Sequence, residues 1–343
     1  MYDWKWYLKD LKQDKNVTVF SCFSCGGGST MGYKRAGFKV IGNCEIDPRM
    51  NEVYVKNNHP KYNYLMDLRD FNKLDNLPDE LYHLDILDGS PPCSTFSIAG
   101  SREKAWGKEK VFREGQRMQT LDDLFFVFLD TVERLKPKVI VAENVTGLLK
   151  GNAKGYVNEI IKRFHSLGYD VQVFQLNAAL MNVPQTRERV FFIANNQHYP
   201  KLKLNFNENP ILFREVRTEK GNNNRNTKLK DRFIKHFKYG DSTLEDINLR
   251  IGKPGGYTNP LIYDENVCCT LTSSGQFFRV YDKMHFSDDD IKNVSSFPQD
   301  YDFGNEPPQY ICGMSVPPNM MANIATELYN QWLKGDLNGK TTN

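Results

Sequence analysis

Cys93 is set apart from the other nucleophilic side chains of this chain by what precedes it. The run 83–87 reads as a strand, and Asp88-Gly89-Ser90-Pro91-Pro92 follows. Proline has no N–H and a fixed φ, so the strand must stop and hold the cysteine on a stiff turn. In α/β sheets such strand ends are where ligands bind, and a thiolate placed there can attack carbon. Taken alone, the stretch is equally consistent with a buried structural cysteine. Two further groups bear on the choice. Glu143 begins Glu143-Asn144-Val145 at the end of a buried strand, 139–142. Arg187 and Arg189 lie in Gln185-Thr186-Arg187-Glu188-Arg189, just before a strand at 190–194. In a parallel sheet, Cys93 and Glu143 emerge on the same edge. A thiol, a carboxyl group and a guanidinium around one pocket suit attack on an electron-poor ring, with the acid on a ring nitrogen and arginine on a carbonyl oxygen. Cytosine meets these demands: thiolate addition at C6 makes C5 nucleophilic once N3 is protonated.

The elements that must position these groups can be read from periodicity. Val17-Thr18-Val19-Phe20 reads as a first strand, followed by a glycine-rich turn at 23–32 and a helix ending near Ala36-Gly37-Phe38. Strand, glycine turn and helix form the opening of a nucleotide-type site. Glycines let the backbone approach a ligand, and a helix N-terminus favours its negative groups. A second strand, 39–43, is closed by Glu45 and Asp47, about twenty residues after the glycines, where an acid can accept from ribose hydroxyls. A purely structural βα turn is the competing reading. Helices are predicted at 121–135 and 156–167, and a strand at 169–176. The alternation predicts a doubly wound, mostly parallel α/β sheet. After Ala194 the character changes. Residues 214–238 hold nine Lys or Arg against three Asp or Glu, with Asn222, Asn223 and Asn224 among them. That composition fits a solvated basic loop, and it also fits phosphate contact and base-edge readout. Residues 313–333 return to a helical pattern, and 334–343 read as a polar tail.

The bulk numbers exclude several classes. A chain of 343 residues holds one large α/β domain and a smaller one. The net charge of +3 is too small to imply a polyanion partner by itself, so the local basic stretch has to carry that question. Seven cysteines, with one C-x-x-C at Cys22 and Cys25 and no second pair at zinc spacing, imply neither a zinc site nor a disulfide framework. They point to a reducing, cytoplasmic compartment. Residues 1–16 lack the apolar core of a signal peptide, and no apolar run is long enough to span a membrane.

In this order, the motifs resemble those of the DNA (cytosine-5) methyltransferases over almost the whole chain. The family's cofactor motif resembles residues 23–38, its acidic motif matches Glu45-Ile46-Asp47, and Asp67 fits the next cofactor position. Pro91-Pro92-Cys93, Glu143-Asn144-Val145 and Gln185-Thr186-Arg187-Glu188-Arg189 are similar to its three catalytic motifs. Residues 286–303 look like the segment closing the target-recognition region, and Gly313-Met314-Ser315-Val316-Pro317-Pro318 like the last motif. Three positions depart from the pattern. Ser21 stands where an acidic residue is usual, Cys25 where glycine is usual, and Met314 where asparagine is common.

The resemblance implies a Rossmann-like catalytic domain, 1–194 plus 304–343, and a smaller irregular target-recognition domain with its hinge, 195–303. It implies S-adenosyl-L-methionine as cofactor, with Phe23 and Ile46 flanking the adenine, Glu45 on the ribose and Asp67 on the adenine amine. Cys25, Gly26, Gly27 and Gly28 would line the amino-acid end, and Pro91 and Ser315 would complete the site. Cys93 would be the nucleophile, Glu143 the acid at N3 and Arg189 the clamp on the O2 carbonyl, with Arg187 in support. Residues 94–120 would form a mobile catalytic loop. The substrate would be duplex DNA with its target cytosine flipped out, and the enzyme a monomer, paired in function with a restriction endonuclease. A tRNA cytosine-5 methyltransferase is the nearest rival. An inactive cofactor- and DNA-binding protein and a Rossmann dehydrogenase are more distant ones; the latter leaves Pro92-Cys93 and Glu143-Asn144 without a role.

Overall fold

A computed structural model of the chain describes residues 2–92, 109–110, 119–120, 123–150, 153–222, 227–255 and 259–335. Cys93 and most of the expected catalytic loop lie outside the described residues. Packing divides the chain into two units. The sheet unit comprises Leu11–Asn177, Glu188–Asn205 and Met321–Asn343; the second unit comprises Met1–Asp10, Ala178–Arg187 and Phe206–Met320. By contacts, residues 1–10, 178–187 and 304–320 pack with the second unit and residues 195–205 with the sheet unit.

The sheet unit is built on strands β1 (Thr18–Cys22), β2 (Lys39–Glu45), β3 (Tyr62–Leu65), β4 (Ile86–Gly89), β7 (Val139–Val145), β8 (Asp170–Asn177) and β9 (Glu188–Asn195). Two short strands between β4 and β7, β5 (Glu109–Lys110) and β6 (Gln119–Thr120), pair antiparallel with each other. The seven-stranded sheet runs β3-β2-β1-β4-β7-β9-β8. Its neighbours are parallel as far as β7, and β9 runs antiparallel to both β7 and β8. The mostly parallel doubly wound sheet expected from sequence is therefore present, with one reversed strand. Chain order switches direction between β1 and β4, the point at whose carboxyl ends sheets of this kind take ligands.

Alternation along the strands separates two faces. Phe20, Cys22, Leu87, Ile140 and Ala142 join the core, with α4 (Leu124–Leu135) and α5 (Ala153–Ser166) packed over them. Phe125 of α4 meets Phe192 of β9 edge to face, at 5.2 Å between centroids. Each such buried aromatic stabilises the fold by roughly 2–3 kcal/mol. The opposite face carries Ser21 and Asp88, which are register partners, and receives Tyr33 of α1 (Gly28–Arg35).

The structure moves one predicted boundary that matters. The strand expected at 83–87 is instead a 3-10 turn, Asp79–His83, followed by β4 from Ile86. Asp85 explains the late start. Its carboxylate accepts from the Thr18 N–H at 2.9 Å and pairs with Lys138 at 2.7 Å, tying together the beginnings of three strands. The helical pattern at 313–333 is also interrupted. One helix ends at Met314 and the next begins at Pro318, because prolines 317 and 318 lack the N–H a continuous helix needs.

In the second unit, α7 (Thr227–His236) and α8 (Leu244–Arg250) order part of the stretch whose character changes after Ala194. Phe233 of α7 packs with Leu244, Ile247, Leu261 and Phe278 in a small core of its own. Arg279, fully buried, is held by Asp290 at 3.1 Å and Asp282 at 3.0 Å.

Candidate active site

The carboxyl edge of the sheet gathers most of the residues singled out above. At the end of β1, Phe23 and Cys25 both adopt left-handed backbone, with φ of 53° and 45°. Gly27 has φ 86°, and a Cβ there would meet the Asn58 amide at 2.5 Å, so only glycine fits the turn into α1. Cys25 is thus strained where glycine would not be. Its N–H is held by Glu45 Oε2 at 2.7 Å.

Glu45 ends β2 with its side chain buried. Besides Cys25 it accepts from the Ile46 and Asp47 N–H groups, each at 2.9 Å to Oε1. Burial pushes its carboxyl up, while those three amides act in the opposite direction. Ile46 is half-buried beside it. Asp47 caps α2 (Pro48–Asn58) by accepting from Arg49 and Met50. Asp67, after β3, caps α3 (Leu68–Phe71) and pairs with Arg69 at 3.2 Å.

Glu143 and Arg189 meet on the same edge. Arg189 Nε donates to Glu143 Oε1 at 2.9 Å, and both side chains are largely buried. The reversed β9 makes this contact. An antiparallel strand begins where its parallel neighbours end, so Arg189, near the start of β9, lies opposite Val145, near the end of β7. Glu143 is two residues before Val145 and shares its face. Burial lowers the Arg189 guanidinium from its usual range, and Glu143 acts in the opposite direction.

Asn144 and Asp88 are two residues at this edge that sequence reasoning left without a role. Asn144 Nδ2 donates to the Pro91 carbonyl at 3.2 Å, and its Oδ1 accepts from the Val145 N–H at 2.9 Å. One amide thus fixes the turn leading to Cys93 against the end of β7. Asp88 is fully buried and accepts from Ser21 Oγ at 2.8 Å and Tyr33 Oη at 3.2 Å. The available signal was an acid inside the apolar strand Ile86-Leu87-Asp88-Gly89, since buried carboxyl groups need partners.

Arg187 and Ser315 belong to the second unit. The Arg187 guanidinium donates to the Leu271 and Gly313 carbonyls, both at 2.9 Å. Ser315 follows α10 (Pro308–Met314), and its buried hydroxyl has no hydrogen-bond partner among the described residues. No cluster of three or more metal-ligating side chains occurs among the described residues, and none of the described helices is long and apolar enough to cross a membrane.

The model of the C-5 cytosine-specific DNA methylase family matches residues 17–330. The chain belongs to this family. Among individual relatives of this methylase, the type II methyltransferase M.FnuDI of Fusobacterium nucleatum is 34% identical over 52% of the chain and 46% of its own length. The type II methyltransferase M1.HphI of Haemophilus parahaemolyticus is 28% identical over 95% of the chain and 90% of its own length. The chain therefore spans about half of the first relative and nearly all of the second. A solved structure of a Spodoptera frugiperda DNMT2 mutant shares the methylase's fold, with a TM-score of 0.64 at 15% identity over 92% of this chain and 100% of that one.

Proposed function

We propose that this methylase transfers a methyl group from S-adenosylmethionine to C5 of a cytosine flipped out of a specific duplex DNA sequence, through a covalent adduct of Cys93 at C6. The observation that carries this reading is the buried Glu143–Arg189 pair, at the sheet edge to which Asn144 ties the Pro91-Pro92 turn.

The residues present fit the cofactor. The β1–β4 switch point, the glycine turn and a buried Glu45 at the end of β2 form a nucleoside-type crevice. Glu45 would hold the ribose, Phe23 and Ile46 the adenine faces, and Asp67 the adenine amine. Cys25 to Gly28 and Pro91 would complete the site on the sheet unit. When bound, S-adenosylmethionine supplies a methyl group made electrophilic by its positively charged sulfur.

The chain's own residues do the rest. Cys93 adds to C6 as the thiolate. Glu143 gives a proton to N3, so the electron pair released by addition develops at C5. Arg189 holds the O2 carbonyl, and Arg187 braces the segment that carries it. Once C5 has been methylated, its proton passes to solvent, the thiolate leaves, and N3 returns its proton to Glu143, which restores the ring. The target base must first leave the duplex, at roughly a few kcal/mol. Residues 195–267 choose the sequence, and exposed lysines of α7 such as Lys228 and Lys235 contact phosphate. On this reading the protein works as a cytoplasmic monomer, matched to a restriction endonuclease of the same recognition sequence.

Bisulfite sequencing of DNA and tRNA from cells expressing the chain tests the proposal. Protected cytosines at one recurrent DNA sequence are expected. Unmodified DNA alongside modified tRNA would transfer the chemistry to the RNA substrate, and no modification in either would overturn it.

Asn144 supplies a further prediction. Removing its amide frees the Pro91 carbonyl, a loss worth about 1–1.5 kcal/mol. Asn144→Ala should slow methyl transfer about tenfold, with only a small fall in the melting temperature. Turnover and melting measured side by side check this, and unchanged turnover would show that the amide does not position the turn.

A further inference from the structure

Asp88 is a buried carboxyl group with no cation beside it among the described residues. Its two oxygens are taken by hydroxyl groups, those of Ser21 and Tyr33, and no Lys or Arg among the described residues pairs with it. A carboxylate removed from water this completely is costly unless a positive charge compensates it. Its place in the fold says where that charge comes from. Asp88 lies on β4 beside Ser21 of β1, the two strands between which chain order reverses. Ligands of such sheets enter at that crevice.

We infer that Asp88 supplies the buried negative charge that complements the cationic end of S-adenosylmethionine, held in position by the Ser21 and Tyr33 hydroxyls. The inference rests on the cofactor assignment made above. S-adenosylmethionine carries a sulfonium and an ammonium group at that end, so a carboxylate at the crevice complements it and an uncharged amide does not.

The surroundings of Asp88 give this role a measurable signature. Burial pushes its carboxyl up to about 7; the Ser21 and Tyr33 hydroxyls act to lower it, and the charge of Glu143 to raise it. The titratable groups facing it are Tyr33 from α1, Tyr54 from α2, Cys22 from β1 and Glu143 from β7, with Arg189 of β9 paired to Glu143. Burial pushes both tyrosines and Cys22 up, so these stay neutral near pH 7. A cation arriving beside Asp88 favours its ionised form. Below about pH 7, binding must therefore release a proton, and cofactor affinity must rise with pH and level off above that value.

Calorimetric titration of the full chain with S-adenosylmethionine, in buffers of different ionisation heat at pH 6–8, reads this without catalysis. The wild type is expected to release up to about one proton at the acid end. Asp88→Asn should bind at least about tenfold more weakly at pH 8 and release none. Exchanging the two register partners, Ser21→Asp with Asp88→Ser, should recover most of the affinity because the charge returns to the same pair of positions. If Asp88→Asn does not fold, Ser21→Ala serves in its place. Removing that donor raises the Asp88 carboxyl further, so the pH at which affinity levels off should move upward. A wild type that binds no S-adenosylmethionine would defeat the cofactor assignment itself. A wild type that binds without proton release, or an Asp88→Asn variant that binds and releases protons as the wild type does, would overturn the role of Asp88 and leave that assignment standing.

Discussion

Duplex DNA carrying 5-fluorocytosine at the target position is expected to arrest the enzyme as a covalent protein–DNA complex, and only when S-adenosylmethionine is present. After addition at C6 and methylation at C5, release of the enzyme requires loss of the C5 substituent as a cation. A proton can leave in this way and fluorine cannot. A denaturing gel should show a shifted band, and mass mapping should place the link at Cys93. Cys93→Ser should abolish both band and turnover, because an alcohol is scarcely ionised at neutral pH. Three of the other cysteines are poor competitors for physical reasons. Cys22 and Cys44 are buried, and burial pushes both thiols well above their ordinary range. Cys268 is fully buried and raised as well, first through its hydrogen bond with Cys269. Linkage through any of these, or an active enzyme that forms no band, would remove Cys93 from the nucleophile's place.

Glu143→Gln is expected to lower turnover by about two to four powers of ten, the usual contribution of a general acid. The same change should also destabilise the fold, because the buried Arg189 guanidinium loses the carboxylate it meets at 2.9 Å. Breaking a buried pair by removing one member costs about 3–5 kcal/mol. The two effects come apart in the double variant. Replacing Arg189 by Gln as well removes the stranded charge, so much of the stability should return while activity stays lost. Single-turnover kinetics and chemical denaturation of the three variants measure both. If the double variant regained activity along with stability, Glu143 would be a structural residue and the acid would have to be sought elsewhere.

What could be read from the sequence was what short spacing determines. The glycine turn, Glu45 twenty residues beyond Cys25, and the strand ending in Glu143 are local patterns, and their geometry follows from strand and turn rules. Cys25, which stands where glycine is usual, adopts the left-handed backbone that glycine takes most readily. The direction of β9 was not legible, since alternation has the same period in parallel and antiparallel strands. That direction brings Arg189 to Glu143. The partners of Arg187, Leu271 and Gly313, lie 84 and 126 residues away, and no local pattern announces them. Ser21 and Asp88 are the clearest case. A missing acid on one strand and an unexpected acid on another are two halves of one observation, and only the register of β1 with β4 joins them.

The way the chain is divided between its two units bears on how such enzymes can exchange specificities. Phe206–Met320 is one continuous stretch, entered from Asn205 and left at Met321. Recombination at two points could replace it as a cassette. It does not pack alone, however. Trp6 Nε1 donates to the Ser296 carbonyl at 2.9 Å, and Arg187 clasps the carbonyls of Leu271 and Gly313. An incoming cassette must therefore offer backbone carbonyls to a tryptophan and an arginine inherited from elsewhere in the chain. On the proposed assignment of sequence choice to residues 195–267, a new recognition sequence would then arrive subject to two hydrogen-bonding side chains outside the cassette, which need touch no nucleotide.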